Sequence, residues 1–131
     1  MTLKELSQLY YLNREIEMDK RRLEELEAKL LPGSPVLSEM PRGAGMTDNM
    51  SLYISDIVEL QDMIAAKQKR CIHEQARLEQ YISKISSSLV RQIFVYRFVN
   101  GLPWEQVAAC VGGGNTGDGV KKICYRYLKN G

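Results

Sequence analysis

The residues that could do chemistry lie close together near the end of the chain. They are four cations and one tyrosine: Lys121, Lys122, Tyr125, Arg126 and Lys129. On a helix of 3.6 residues per turn they share one side, and the other side is apolar: Val120, Ile123, Cys124 and Tyr127. Cations neutralise phosphates and an aromatic ring contacts bases or backbone, so the pattern predicts a face that binds double-stranded DNA. A solvated basic surface is the alternative interpretation of the lysines.

The charge of the chain is distributed unevenly. The formal net charge is only +2 at pH 7. Residues 87–131 carry six lysine or arginine residues against two acidic ones, whereas residues 1–86 carry twelve against fourteen. The basic excess therefore lies with the predicted DNA-binding face, as a phosphate-contacting module requires.

No pattern in the chain predicts catalysis, a metal site or a cofactor. The three cysteines, Cys71, Cys110 and Cys124, are widely spaced, and no CxxC pair is present. The single histidine, His73, belongs to no nucleophile–base arrangement. Cys124 falls on the apolar stripe, so we expect a small core residue rather than a reactive thiol. The cysteines form no disulfide framework, and the sequence shows no signal peptide and no apolar run long enough to span a membrane. We therefore expect a cytoplasmic protein without a membrane partner.

A short helix and a glycine-rich turn must position the basic face. Pro103 suits the start of a helix over about 103–111, because its missing amide costs nothing there. Gly112–Gly114 should end that helix and turn the chain. Asn115 or Thr116 then caps the last helix, and both lie where they could also contact DNA.

A further helix is predicted over about residues 88–100, capped by the preceding serines. Its apolar stripe comprises Val90, Ile93, Phe94 and Phe98. Asn100 and Gly101 should close it, because both residue types tolerate the left-handed conformation of a helix C-terminus. The three helices together predict a helix-turn-helix domain over residues 87–131.

Residues 1–86 predict an arm made of two long helices, over 2–31 and 49–86. Thr2 and Glu5 have the spacing of a capping box at the start of the first. Opposite charges along the two helices favour an antiparallel, coiled-coil-like hairpin. Residues 32–48 contain three prolines and three glycines, which predicts a mobile loop. The alternative is a docking segment that uses Val36, Leu37 and Met40.

Heptad spacing along the two long helices predicts packing between helices and between copies of the chain. The expected oligomerisation residues are Leu9, Leu12, Ile16, Leu23, Leu26, Ile57, Ile64 and Leu78. Asp19 interrupts the apolar series of the first helix. In the second helix, the companion row is expected to be Ile54, Gln61, Gln68, Gln75 and Ile82. Its three glutamines either lie in the seam, where polar groups set register, or face solvent.

The C-terminal third resembles region 4 of sigma-70-type factors. The resemblance is carried by Gln92-Ile93-Phe94, Arg97-Phe98, Asn100-Gly101-Leu102, Trp104-Glu105-Gln106-Val107-Ala108, Val111-Gly112, Val120-Lys121-Lys122-Ile123 and Arg126. With the helical N-terminal half and Met40-Pro41-Arg42-Gly43, the whole chain is similar to phage and prophage regulators of the ArpU/RinA type. The resemblance implies that Lys121, Lys122 and Arg126 occupy recognition-helix positions. This chain departs from the sigma pattern in its longer turn and in Gly117 and Gly119.

These observations predict an all-α protein: a long antiparallel helical hairpin followed by a small helix-turn-helix domain. The expected function is that of a phage-derived transcriptional regulator that binds DNA as a homo-oligomer and has no enzymatic activity. One alternative is a DNA-packaging subunit similar to small terminases. Another is an adaptor that binds host RNA polymerase and does not itself read DNA.

Overall fold

A computed structural model describes residues 1–31 and 48–130 of the chain. Every regular element in these ranges is helical, which confirms the predicted all-α class. The helices are α1 (Leu3–Leu6), α2 (Gln8–Ala28), α3 (Asp48–Ser83), α4 (Ser88–Phe94), a π-helical turn (Val95–Val99), α5 (Trp104–Val111) and α6 (Gly117–Asn130). Within the same ranges, no helix has the length and apolar content needed to cross a bilayer. The expected loop at 32–48, with Val36, Leu37 and Met40, lies outside the described residues until α3 begins at Asp48.

The predicted first helix is present in two parts. The Thr2 hydroxyl accepts a hydrogen bond from the Glu5 amide at 3.2 Å, which confirms Thr2 as the N-cap. α1 and α2 are separated at Ser7, whose hydroxyl donates to the Leu3 carbonyl at 2.8 Å. A serine that bonds back to this carbonyl competes with regular helix geometry. α2 then ends at Ala28, three residues before the predicted end.

α3 turns its glutamine row to solvent. Gln61, Gln68 and Gln75 are exposed, and the Gln75 amide donates to Glu79 of the same helix at 3.0 Å. The companion row of the seam is instead offset by one residue and comprises Tyr53, Leu60, Lys67, Glu74 and Tyr81, all buried or half-buried. Of the two alternatives for the glutamines, the structure shows the solvent-facing one, in which the three amides remain hydrated and none is buried in the seam.

The chain forms two compact units, Met1–Leu12 with Arg70–Gly131 and Asn13–Lys69. These units do not coincide with the expected division at residues 86 and 87. Leu6 and Leu9 from the N-terminal end, and Leu78, Ile82 and Ile85 from the end of the expected arm, belong to the core of the first unit. Their burial in that core, beside residues of the three C-terminal helices, explains the difference.

The core of the first unit surrounds Phe94, which is fully buried. Its ring lies edge-on to Phe98 and Tyr127, at centroid distances of 5.2 and 5.5 Å, and stacks on Tyr81 at 6.4 Å. Val107 of α5 and Val120 of α6 are also fully buried there. The last three helices are thus held by one shared core.

The second unit contains a partly buried ion pair. Lys67 Nζ of α3 lies 2.6 Å from Asp19 Oδ2 of α2, and each side chain is only 19% exposed. Asp19, the residue that interrupts the apolar series of the first helix, thus has a charged partner in α3. Lys29, the first residue after α2, places its Nζ atom 5.2 Å from the ring centroid of Tyr53 in α3. Among the described residues of this unit, Ile16, Leu26, Leu60 and Ile64 are buried.

The expected oligomerisation residues are largely covered within one chain. Leu9, Leu12, Ile16, Leu26, Ile64 and Leu78 are buried, and Leu23 and Ile57 are half-buried. Several other apolar side chains are exposed, among them Met18, Leu52, Val58 and Met63. The heptad stripe is therefore packed mainly within the chain, whereas these four side chains remain exposed.

We expect the ion pair between Asp19 and Lys67 to stabilise the fold through its burial. Asp19→Asn should lower the free energy of unfolding by about 2 kcal/mol, because it leaves the Lys67 ammonium without its charged partner. Urea unfolding followed by circular dichroism measures the change. Glu25→Gln is the matched control, since Glu25 pairs with Arg22 at 3.7 Å on an exposed surface, and it should change stability by less than about 0.5 kcal/mol. Equal effects of the two variants would contradict a special role for the buried pair.

Candidate nucleic-acid interface

A tight turn joins α5 to α6 and sets the direction of α6. Gly112, Gly113 and Gly114 all have positive φ, between 67° and 77°. Residues with side chains rarely adopt this conformation, so the glycines are required by the turn itself. The Gly112 amide donates to the Ala108 carbonyl at 2.9 Å and closes α5. The predicted role of the glycines as a turn is confirmed.

Asn115 and Thr116 serve the start of α6. The Thr116 hydroxyl accepts from the Gly119 amide at 3.0 Å, which confirms it as the N-cap. The Asn115 side-chain amide donates to the Gly112 carbonyl at 2.7 Å and braces the turn. Thr116 is exposed and Asn115 is half-buried. Of the seven predicted DNA contacts, these two therefore have a structural task as well.

Gly117 makes room for an acidic side chain. It is the first residue of α6 and is buried. A methyl group added at its Cα would collide with the carboxylate of Glu105 from α5. This carboxylate thus lies at the N-terminal end of α6, where the helix dipole favours negative charge. Gly117 thus leaves room for the Glu105 carboxylate, a contact that the sequence pattern did not indicate.

The predicted basic face is exposed, and the opposite side of α6 is anchored in the core. Lys121, Lys122, Tyr125, Arg126 and Lys129 are all exposed. On the other side, Val120 and Cys124 are fully buried, and Ile123 and Tyr127 are half-buried. Among the described residues, no carboxylate oxygen lies within 4.0 Å of any of the four cations. The structure brings the five side chains together on one accessible surface of a fixed helix.

The basic face continues into a row of alternating cations and aromatic rings. Lys121 Nζ lies 5.7 Å from the ring centroid of Tyr125. Tyr125 meets Trp104 edge-on at 6.2 Å, and the Arg97 guanidinium lies over Trp104 at 4.4 Å. Each of these distances is within or near the range of favourable cation–π or aromatic contacts. We call Arg97, Trp104, Tyr125 and Lys121 the cation–aromatic row.

Sequence reasoning did not find Arg97 and Trp104 as site residues. Their contact depends on how the chain reverses between α4 and α5. The predicted helix over 88–100 becomes π-helical at Val95–Val99, and the Asn100 amide bonds to the Val95 carbonyl at 3.0 Å. Gly101 then takes a φ of +69°, as predicted for a helix end. Arg97 donates to the Leu102 carbonyl at 3.0 Å, which holds its guanidinium against Trp104.

Cys124 is a core residue, as predicted. It is fully buried, and its burial raises the pKa of the thiol to about 12. The pKa in the unfolded chain is near 9.0, so the protonated thiol stabilises the fold fully below pH 9. This contribution is lost as the pH rises towards 12. In the described parts of the chain, no three His, Cys, Asp or Glu side chains cluster closely enough to hold a metal ion.

Comparison with known proteins adds nothing to this geometry. No protein-family model, no curated protein and no solved structure matches the chain. The resemblance to sigma-70 region 4 and to ArpU/RinA-type regulators therefore stays a prediction from the sequence.

The close approach of Glu105 to Gly117 predicts an energetic coupling between these two positions. Gly117→Ala must displace the Glu105 carboxylate in the wild-type background, whereas Glu105→Ala removes that carboxylate beforehand. We expect the change at Gly117 to destabilise wild type by about 1 kcal/mol more than it destabilises Glu105→Ala. Thermal or urea unfolding of the four proteins measures this coupling. Gly119→Ala is the control, because its methyl group meets Thr116 instead; an identical coupling there would contradict the prediction.

The three cysteines should differ in their rate of reaction with a thiol reagent at pH 8. Cys110 is exposed and should react first, followed by half-buried Cys71. Cys124 should react only on unfolding, since burial keeps it protonated and inaccessible. Mass spectrometry of peptides after timed labelling gives the order. Labelling of Cys124 as fast as Cys110 in the folded protein would contradict the proposed packing of α6.

Proposed function

We propose that this protein is a DNA-binding transcriptional regulator of phage origin. In this proposal, α4, α5 and α6 form a helix-turn-helix similar to sigma-70 region 4, and α6 is the recognition helix. The observation that carries it is the exposed face of Lys121, Lys122, Tyr125, Arg126 and Lys129, on a helix whose other side is fixed in the core. The activity is binding rather than catalysis.

The proposed contacts divide into affinity and specificity. Lys121 and Lys129 are eight residues apart, so at about 1.5 Å per residue the basic face is roughly 12 Å long, similar to the width of the major groove. The four cations would contact phosphates and supply most of the affinity. Gly117 and Gly119 have no side chains to reach base edges, so Tyr125 is the better candidate for sequence readout.

We further propose that α2 and α3 form an antiparallel hairpin. As the chain runs forward from Asp19 in α2 to Lys29 just after it, the contacts on α3 run backward from Lys67 to Tyr53. Opposed order of this kind is expected of antiparallel neighbours. Exposed Met18, Leu52, Val58 and Met63 then offer apolar surface for association of copies. Association would place two or more basic faces on one DNA and convert weak single contacts into tight binding.

Removal of two lysines from the basic face tests DNA binding. Lys121→Ala/Lys122→Ala should weaken binding to phage intergenic DNA at least tenfold, because two phosphate contacts are lost. The wild-type slope of log affinity against log salt should be near −3 to −4 per protomer, and the variant's slope should be smaller by about 2. Fluorescence anisotropy at several salt concentrations measures both quantities.

The matched control for this experiment is Lys20→Ala/Lys69→Ala. It removes the same charge from two exposed positions of α2 and α3 and should leave affinity and slope nearly unchanged. Equal loss in the two variants, or no DNA binding by wild type, contradicts the proposal. In the latter case, capture of RNA polymerase without DNA would favour the adaptor hypothesis. A solution mass of a large closed ring, rather than a dimer or tetramer, would favour the packaging hypothesis.

A further inference from the structure

A cleft of about 540 Å³ adjoins the proposed DNA-binding face. Its walls include Tyr10 and Tyr11 of α2, Arg97 of the π-helical turn, Trp104 of α5 and Tyr125 of α6. Four of these five side chains are aromatic, and all of them belong to the first compact unit. A space of this size accommodates a small planar ligand together with part of a sugar.

We propose that this cleft holds an unstacked nucleobase of single-stranded DNA that continues from the duplex bound by α6. Every base has a π-face, so aromatic walls bind bases without requiring a particular sequence. Tyr11 is 63% exposed and Tyr10 is 40% exposed, so their rings are accessible from solvent. The two rings lie edge-to-face, 5.3 Å apart. The Arg97 guanidinium supplies a further flat cationic surface beside Trp104.

The cleft is continuous with the basic face through one residue. Tyr125 lines the cleft and also lies 5.7 Å from Lys121 Nζ on α6. A strand that leaves the duplex at α6 would therefore meet the Lys121 ammonium next to the tyrosine ring at which the cleft begins. Positive charge next to an aromatic wall is the combination used by proteins that bind single strands. This continuity favours a base of DNA over a mononucleotide from solution, and the inference rests on the proposed function.

Fluorescence of Trp104 provides a direct test, because the chain has a single tryptophan. The probes are a fully paired duplex, the same duplex with an unpaired thymine overhang, thymidine monophosphate and a proline-rich peptide. The duplex with the overhang should bind about tenfold more tightly than the paired duplex, as expected for stacking of one base. It alone should quench Trp104 emission strongly at saturation.

Tyr11 is the residue to change, since it lines the cleft, is exposed and lies outside α6. Tyr11→Ala should remove the preference for the overhang and leave affinity for the paired duplex unchanged. Tyr11→Phe keeps the ring and should retain the preference. Circular dichroism of both variants establishes that the fold is intact.

The outcomes separate this inference from the proposed function. If Tyr11→Ala retains the overhang preference while Lys121→Ala/Lys122→Ala loses duplex binding, the cleft inference is overturned and the proposed function stands. If wild type binds no DNA at all, both are overturned. The inference is also overturned if thymidine monophosphate binds as tightly as the overhang duplex. Quenching of Trp104 by a proline-rich peptide but by no DNA overturns it too, because aromatic grooves also bind such peptides.

Discussion

Phe94 is buried against side chains from three other elements, and this contact decides where the functional surface lies. Tyr81 lies in the last turn of the long α3, Phe98 lies in the π-helical turn, and Tyr127 belongs to α6. Because interiors pack at nearly crystalline density, a shift of any one of these rings requires a shift of the others. The direction of α6, and with it the orientation of the four cations, is thus set by aromatic packing on its far side.

Features that depend on a few adjacent residues could be predicted from the sequence. The Thr2 and Thr116 caps, the left-handed Gly101 and the turn at Gly112–Gly114 all follow from short-range rules of backbone and side-chain chemistry. The exposed cations of α6 belong to the same class, because helical periodicity alone separates them from the apolar stripe. These features cover most of the turn and much of the candidate face.

Features that depend on distant residues could not be predicted in the same way. The seam of α3 uses Lys67 because Asp19, far away in sequence, supplies a charge at 2.6 Å. Arg97 and Trp104 meet only because the chain reverses through a π-helical turn. Gly117 departs from the sigma pattern, and the structure shows the carboxylate of Glu105, from the preceding helix, lying against it. In each case the sequence identifies the residue types, but it does not predict that the two residues are in contact.

Leu6 and Leu9 share a core with Val120 and Cys124, which lie more than a hundred residues later in the chain. Synthesis proceeds at about 5–20 residues per second, so several seconds pass between the synthesis of Leu6 and Leu9 and that of Val120 and Cys124. In that interval the two leucines are apolar surface available to chaperones or to neighbouring nascent chains. The first unit therefore completes its core only after α6 has been translated. A nascent chain that lacks α6 has no complete core around Phe94.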